Sequence, residues 1–173
     1  EMLYKLYPVF LTRHSLVFEA MLSLPRIHCI LSNSIVLHGN IWQEFDHLLC
    51  YLHGCDSELE RQEFLTSILK LSEFYQIDSG FWYAVTRLKD LLPAVFKPSL
   101  KLQLGRQFQI HEWVEPSFCV MMEHQPISSI SHLKAHHMGM VYFWIIVTTK
   151  AQIKEHYRAL AYTKPALDQS NDC

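Results

Sequence analysis

Two thiols and an imidazole stand within six residues at Cys50, His53 and Cys55, and His28 and Cys29 lie upstream. Soft nitrogen and sulfur donors of this kind suit zinc, and His28-Cys29 could complete a four-ligand site with them. The doubled Cys or His spacings of structural zinc sites are absent, and Cys50 falls on the apolar side of a helical pattern, where a thiol behaves as a small hydrophobe. His132, His136 and His137 include an i, i+4 pair on a predicted helix. The hydrolytic version of that spacing needs a Glu after the first His as general base, whereas Leu133 and Lys134 follow here. These histidines read as surface residues. No G-x-S-x-G occurs, and the five glycines form no phosphate cradle. Glu58, Glu60 and Glu63 lead into a helix and read as solvated charge near its N-terminus. No catalytic, cofactor or metal residue is therefore named, and the chain does not read as an enzyme. The rival reading is a small intracellular enzyme or metal-binding helical domain built on the Cys and His residues above.

What would position any of these groups is a series of amphipathic segments. Leu3 to Leu6 looks like the end of a strand, and Pro8 forces a break. Ser15 then caps a helix whose stripe is Val17, Phe18, Met21 and Leu22. After Pro25 and the turn cluster Ser32-Asn33-Ser34, the short β-branched run Ile35 to Leu37 reads as a buried strand ended by Gly39-Asn40. Trp42, Phe45, Leu48, Leu49 and Leu52 mark a helix stopped at Gly54. Asp56 to Arg61 reads as a charged loop. Phe64, Leu65, Ile68, Leu69, Leu71 and Tyr75 form the clearest helical face, broken by Asp78-Ser79-Gly80 before a second helix of the hairpin that runs to Pro93.

Beyond Pro93 to Pro98, Leu100, Leu104 and Phe108 mark a short helix. Another runs through Trp113 and Met121 with Pro116 inside it. Ser128 to His137 and Gln152 to Ala161 read as helices, and the apolar run Met138 to Val147 as a buried one. No internal repeat is evident.

Half of the 173 residues are hydrophobic and 18% are charged, a globular composition with room for one sizeable core plus an extension. Net charge is -2 with scattered Lys and Arg, which argues against nucleic acid or an anionic membrane as partner. Five irregularly spaced cysteines read as reduced thiols of an intracellular protein, cytoplasmic or nuclear. Glu1 opens without the basic and apolar regions of a secretory signal, and the longest apolar run falls short of a bilayer span.

Several of these residues together resemble a known family. Leu3-Tyr4-Lys5, Phe10-Leu11, Arg13-His14-Ser15, Val17-Phe18, Met21 and Ser23-Leu24-Pro25 are followed by Ile35-Val36-Leu37-His38-Gly39, then Phe45, Leu48, Leu49 and Leu52. In this order they resemble the opening of BTB/POZ domains, most closely the BTB-domain proteins of mushroom-type fungi. The likeness runs more loosely to about Met122, and His111 to Pro116 falls where a Trp and a Pro recur in those relatives. It implies an α+β, predominantly helical fold: a small sheet flanked by helices over residues 1–93, entered inside the family's second strand and so truncated at the start. A helical extension over 94–162 and a flexible tail over 163–173 would follow.

The resemblance also implies a protein-interaction module, an adaptor or scaffold without catalysis. Self-association would use Leu11, Val17, Phe18 and Met21. In some members the helix after the third strand captures a cullin-type ubiquitin ligase scaffold, which here would use Phe45, Leu48, Leu49, Tyr51 and His53. Aromatic and apolar faces in excess of one compact core point the same way, to partners and not to a cofactor.

Overall fold

The computed structural model describes residues 4–24, 37, 41–55 and 62–162. The helices are α1 (Pro8–Thr12), α2 (Leu16–Ser23), α3 (Trp42–Leu52), α4 (Gln62–Phe74), α5 (Asp78–Asp90), α6 (Pro98–Gln107), α7 (His111–His124), α8 (His132–Met138) and α9 (Met140–Tyr162). A single 3-10 turn covers Ile127–Ser129. The chain divides into two compact units, Glu1–Phe96 and Lys97–Cys173, at the end of the proline-bounded segment 93–98.

The small sheet expected from the resemblance is not present: among the described residues there is no strand, and the fold is all-helical. Tyr4 to Leu6 is irregular, as is Leu37, while Ile35 and Val36 lie outside the described residues. Runs of three or four apolar residues suit a strand only where a neighbouring ladder completes it, and side-chain packing claims these residues first. The Tyr4 ring meets Phe45 edge-on at 5.2 Å between centroids, and its hydroxyl donates to Asp46 Oδ1 at 2.6 Å. Pro8, expected as a break, occupies the first turn of α1, where its missing N–H costs nothing.

Three of the helices end in the same way. After α3, Gly54 takes φ +70°, Cys55 N donates to Cys50 O at 2.9 Å and Gly54 N to Tyr51 O at 3.0 Å. This is a Schellman turn, which satisfies carbonyls the helix leaves open. After α4 the left-handed residue is Gln76 (φ 53°), with Ile77 N donating to Ser72 O at 2.7 Å. After α6 it is Gln109 (φ 56°), with Ile110 N donating to Gly105 O at 2.8 Å. The residues that follow, Ile77 and Ile110, are buried. Their burial holds each hairpin turn although glutamine lacks glycine's freedom at positive φ.

The reversal between α4 and α5 is thus Tyr75-Gln76-Ile77, and the expected breaker Asp78-Ser79-Gly80 is the first turn of α5. Asp78 suits the positive end of a helix, and Gly80 lets α5 approach α4 closely. A Cβ on Gly80 would collide with Ser72 Oγ.

The first unit packs around Leu11, Phe18, Phe45, Leu48, Leu71, Tyr75 and Ile77, with Leu37 among the half-buried residues against them. Ser15 caps α2 as expected, its Oγ accepting from Phe18 N at 3.1 Å while donating to Tyr75 O. In the second unit Leu102, Met121, Met138 and Ile146 form the core, flanked by Val114, Phe118, Tyr142 and Phe143. Helix α7 runs continuously through Pro116. The expected helix from Ser128 is a 3-10 turn, and only at Ser131, whose Oγ accepts from Lys134 N at 3.3 Å, does α8 begin. Gly139, φ +76°, separates α8 from α9. Arg106 stands where a Gly139 side chain would be, donates to Met138 O, and lies over the Tyr142 ring at 4.7 Å.

Met138 to Val147 is not a buried helix. Met138 closes α8, and in α9 only Ile146 is fully buried. No helix is long and apolar enough to cross a membrane among the described residues. The charged loop 56–61 and the tail 163–173 lie outside the described residues.

Candidate functional site

The residues expected to mediate self-association are taken up by the first unit's own core. Phe18 is 3% exposed and stacks on Tyr75 at 4.3 Å; Leu11 is buried, and Val17 and Met21 pack half-buried beside them. A helix of eight residues, α2, turns its wide stripe inward because Ser15 ties its N-terminus to the end of α4. In the expected scaffold-binding face, Phe45 and Leu48 are likewise core, Leu49 and Tyr51 are half-buried, and only His53 is exposed. Tyr51 meets Tyr83 of α5 at 4.9 Å, and His53 stacks on Phe10 at 4.2 Å with rings 11° apart.

The soft-ligand cluster is held by the Schellman turn. Cys50, half-buried, donates from Sγ to Cys55 O at 3.5 Å, and Cys55 is exposed. His28 and Cys29 fall outside the described residues. Among the described residues no three His, Cys, Asp or Glu side chains are placed to share a metal ion. His136 and His137 lie 6.4 Å apart between ring centroids. Burial, then the neighbouring charges of His136 and Lys97, lower the His137 pKa from its ordinary 6.5.

No family model, curated protein or solved structure matches the chain. The candidate site therefore rests on geometry alone, and the feature that stands out is α9. Its N-terminal half packs one side, through Tyr142, Phe143 and Ile146, on the second unit's core. The other side carries Val141, Trp144 and Ile145, all exposed, with Trp144 at 63%. From Ala151 to Tyr162 every residue is exposed. Ile153, Tyr157 and Leu160 continue the stripe of Ile146 at helical spacing, and Tyr157 is 67% exposed. Lys154 and Arg158, one turn apart, flank that stripe.

Sequence reasoning passed over this surface. It divided α9 into a buried segment and a separate helix, although Met140 to Tyr162 holds no Gly or Pro to break it. A helix of 23 residues spans about 34 Å. The uninterrupted length was the signal available: a core formed by three short neighbours covers only part of such a helix.

Smaller apolar patches occur on the first unit. Tyr7, Val9 and Leu16 are exposed at its first two helices, and Phe74 and Trp82 at the α4–α5 hairpin.

Proposed function

We propose that the chain is a protein-interaction module with no catalysis of its own, and that it self-associates through α9. The observation that carries this reading is the exposed stripe Ile153, Tyr157 and Leu160, continuous with a stripe whose last fully buried residue is Ile146. Such a stripe on a helix lowers its free energy by pairing with another apolar surface. Aromatic anchors of the kind that dominate binding energy, Trp144 and Tyr157, are among the exposed residues. The resemblance of residues 3–52 to BTB/POZ proteins supports the same class of partner, another polypeptide. The sheet that went with it is not carried forward, nor is capture of a cullin-type scaffold by residues 45–53, since Phe45 and Leu48 are inside the core.

The test is light scattering across a concentration series. The full chain is expected to form a concentration-dependent dimer, and Ile153→Glu with Tyr157→Glu to shift it to monomer. Because both side chains are exposed, a circular dichroism melt is expected to stay unchanged. A chain that remains monomeric at high concentration overturns the reading, and so does a dimer indifferent to the two substitutions.

A further inference from the structure

We infer that Cys50 and Cys55 form a redox pair that closes reversibly across the end of α3. In a Schellman turn the residue three positions inside the helix and the second residue beyond its cap bring their side chains together, and that contact is ordinarily apolar. Here those two positions are Cys50 and Cys55. Among the described residues the other two turns of this type put buried Ile77 and Ile110 at the outer position, whereas the α3 turn places an exposed thiol there.

The hydrogen bond from Cys55 N to Cys50 O, 2.9 Å long, holds the two Cα atoms within roughly 7 Å, the reach of a disulfide. Cys50 Sγ already points across the turn, donating to Cys55 O at 3.5 Å. Gly54 has φ +70°, and among the described residues nothing lies within 4 Å of where its side chain would begin.

The oxidant is a small disulfide of the glutathione type. The exposed Cys55 thiolate attacks one of its sulfurs and expels a glutathione thiolate, leaving a mixed disulfide. Cys50 sulfur then attacks Cys55 sulfur and expels the second glutathione. Two electrons pass from the cysteine pair to the reagent, and the two thiol protons end on the two glutathione molecules. The protein loses two hydrogens and gains one S–S bond, which locks the last turn of α3 beside the His53–Phe10 stack.

The test equilibrates the full chain in a series of glutathione redox buffers, quenches with acid, alkylates the remaining thiols and digests with chymotrypsin. Cleavage after Tyr51 or Leu52 leaves Cys50 and Cys55 on separate peptides joined only by the bond. Mass spectrometry is expected to find that joined pair, to lose it on reduction and in Cys55→Ser, and to find it undiminished in Cys119→Ser. The linked-to-reduced ratio is expected to be about tenfold higher in the folded chain than in concentrated guanidinium chloride, because the turn raises one thiol's effective concentration at the other. The proposal is overturned by both cysteines alkylated throughout the series, by glutathione retained on Cys55 without closure, by a bond from Cys50 to any other cysteine, or by a ratio no higher in the folded chain.

Discussion

Tyr4 shows how a single side chain is set by its surroundings. Burial, then its hydrogen bond to Asp46 and that carboxylate's charge, push its pKa up from 10.0 to about 12. The unfolded chain therefore gives up this proton first, so stability is unaffected below pH 10 and falls as pH rises from about 10 to about 12. Tyr4→Phe is expected to cost about 1 kcal/mol at neutral pH by losing the bond to Asp46, and to flatten that alkaline fall relative to the parent. Urea midpoints measured at pH 8, 10 and 11 check both.

His137 has the opposite sign: its folded pKa lies below 6.5, so its contribution is present above that value and is lost as pH falls through it. His137→Gln is expected to lessen the drop in urea midpoint between pH 7 and pH 5. Phe18 is a matter of volume. Stacked on Tyr75 and almost wholly enclosed, it should cost about 3–5 kcal/mol on Phe18→Ala, read as a fall in melting temperature and not as a change in oligomeric state.

Among the helices, the two hairpins α4–α5 and α6–α7 share a design. Each reverses through an aromatic residue, a glutamine and an isoleucine: Tyr75-Gln76-Ile77 and Phe108-Gln109-Ile110. Beneath each turn the helices touch where one residue must be small. In the first hairpin Gly80 on α5 faces Ser72 on α4; in the second, Gly105 on α6 faces Trp113 on α7, whose Cβ would lie 3.0 Å from an added methyl.

Gln76 and Gln109 are exposed and held at positive φ by the buried isoleucines beside them. Gln76→Gly and Gln109→Gly are each expected to stabilise by about 1 kcal/mol, a rare gain from removing a side chain, seen as higher melting temperatures. Gly80→Ala would gain helix propensity but meets Ser72 Oγ, a buried hydroxyl with no hydrogen-bond partner among the described residues. It is expected to destabilise the parent and to be tolerated in a Ser72→Ala background. A double-mutant cycle should return a coupling of about 1 kcal/mol or more between the two sites.

Over the whole molecule, two units each close a core of their own, and the surplus apolar surface gathers on α9. Residues 152–162 are all exposed. A chain ending at Ala151 is therefore expected to melt within about 0.5 kcal/mol of the parent, as exposed sites usually do, while losing concentration-dependent association. With a net charge of -2 and an apolar contact surface, association is expected to change little as salt is raised. Sedimentation at low and high ionic strength checks this.

Local chemistry was enough to establish the helices α3 to α7, the Ser15 cap and the Gly54 stop, because periodicity, capping hydroxyls and glycine act within a few residues. It misplaced what depends on distant partners. Tyr4 to Leu6 has the composition of a strand, yet Tyr4 and Leu6 pack against the first unit's core, and no strand lies beside them among the described residues. Phe18 and Phe45 have the composition of an interface and are consumed by Tyr75, which lies far along the chain. Met138 to Val147 has the composition of a core, yet only Met138 and Ile146 are fully enclosed, and Met140, Val141, Trp144 and Ile145 are exposed. An apolar residue reports that it gains from burial; whether its own chain or another molecule supplies the cover was decided by the tertiary packing, because burial depends on which surfaces arrive first at the same place.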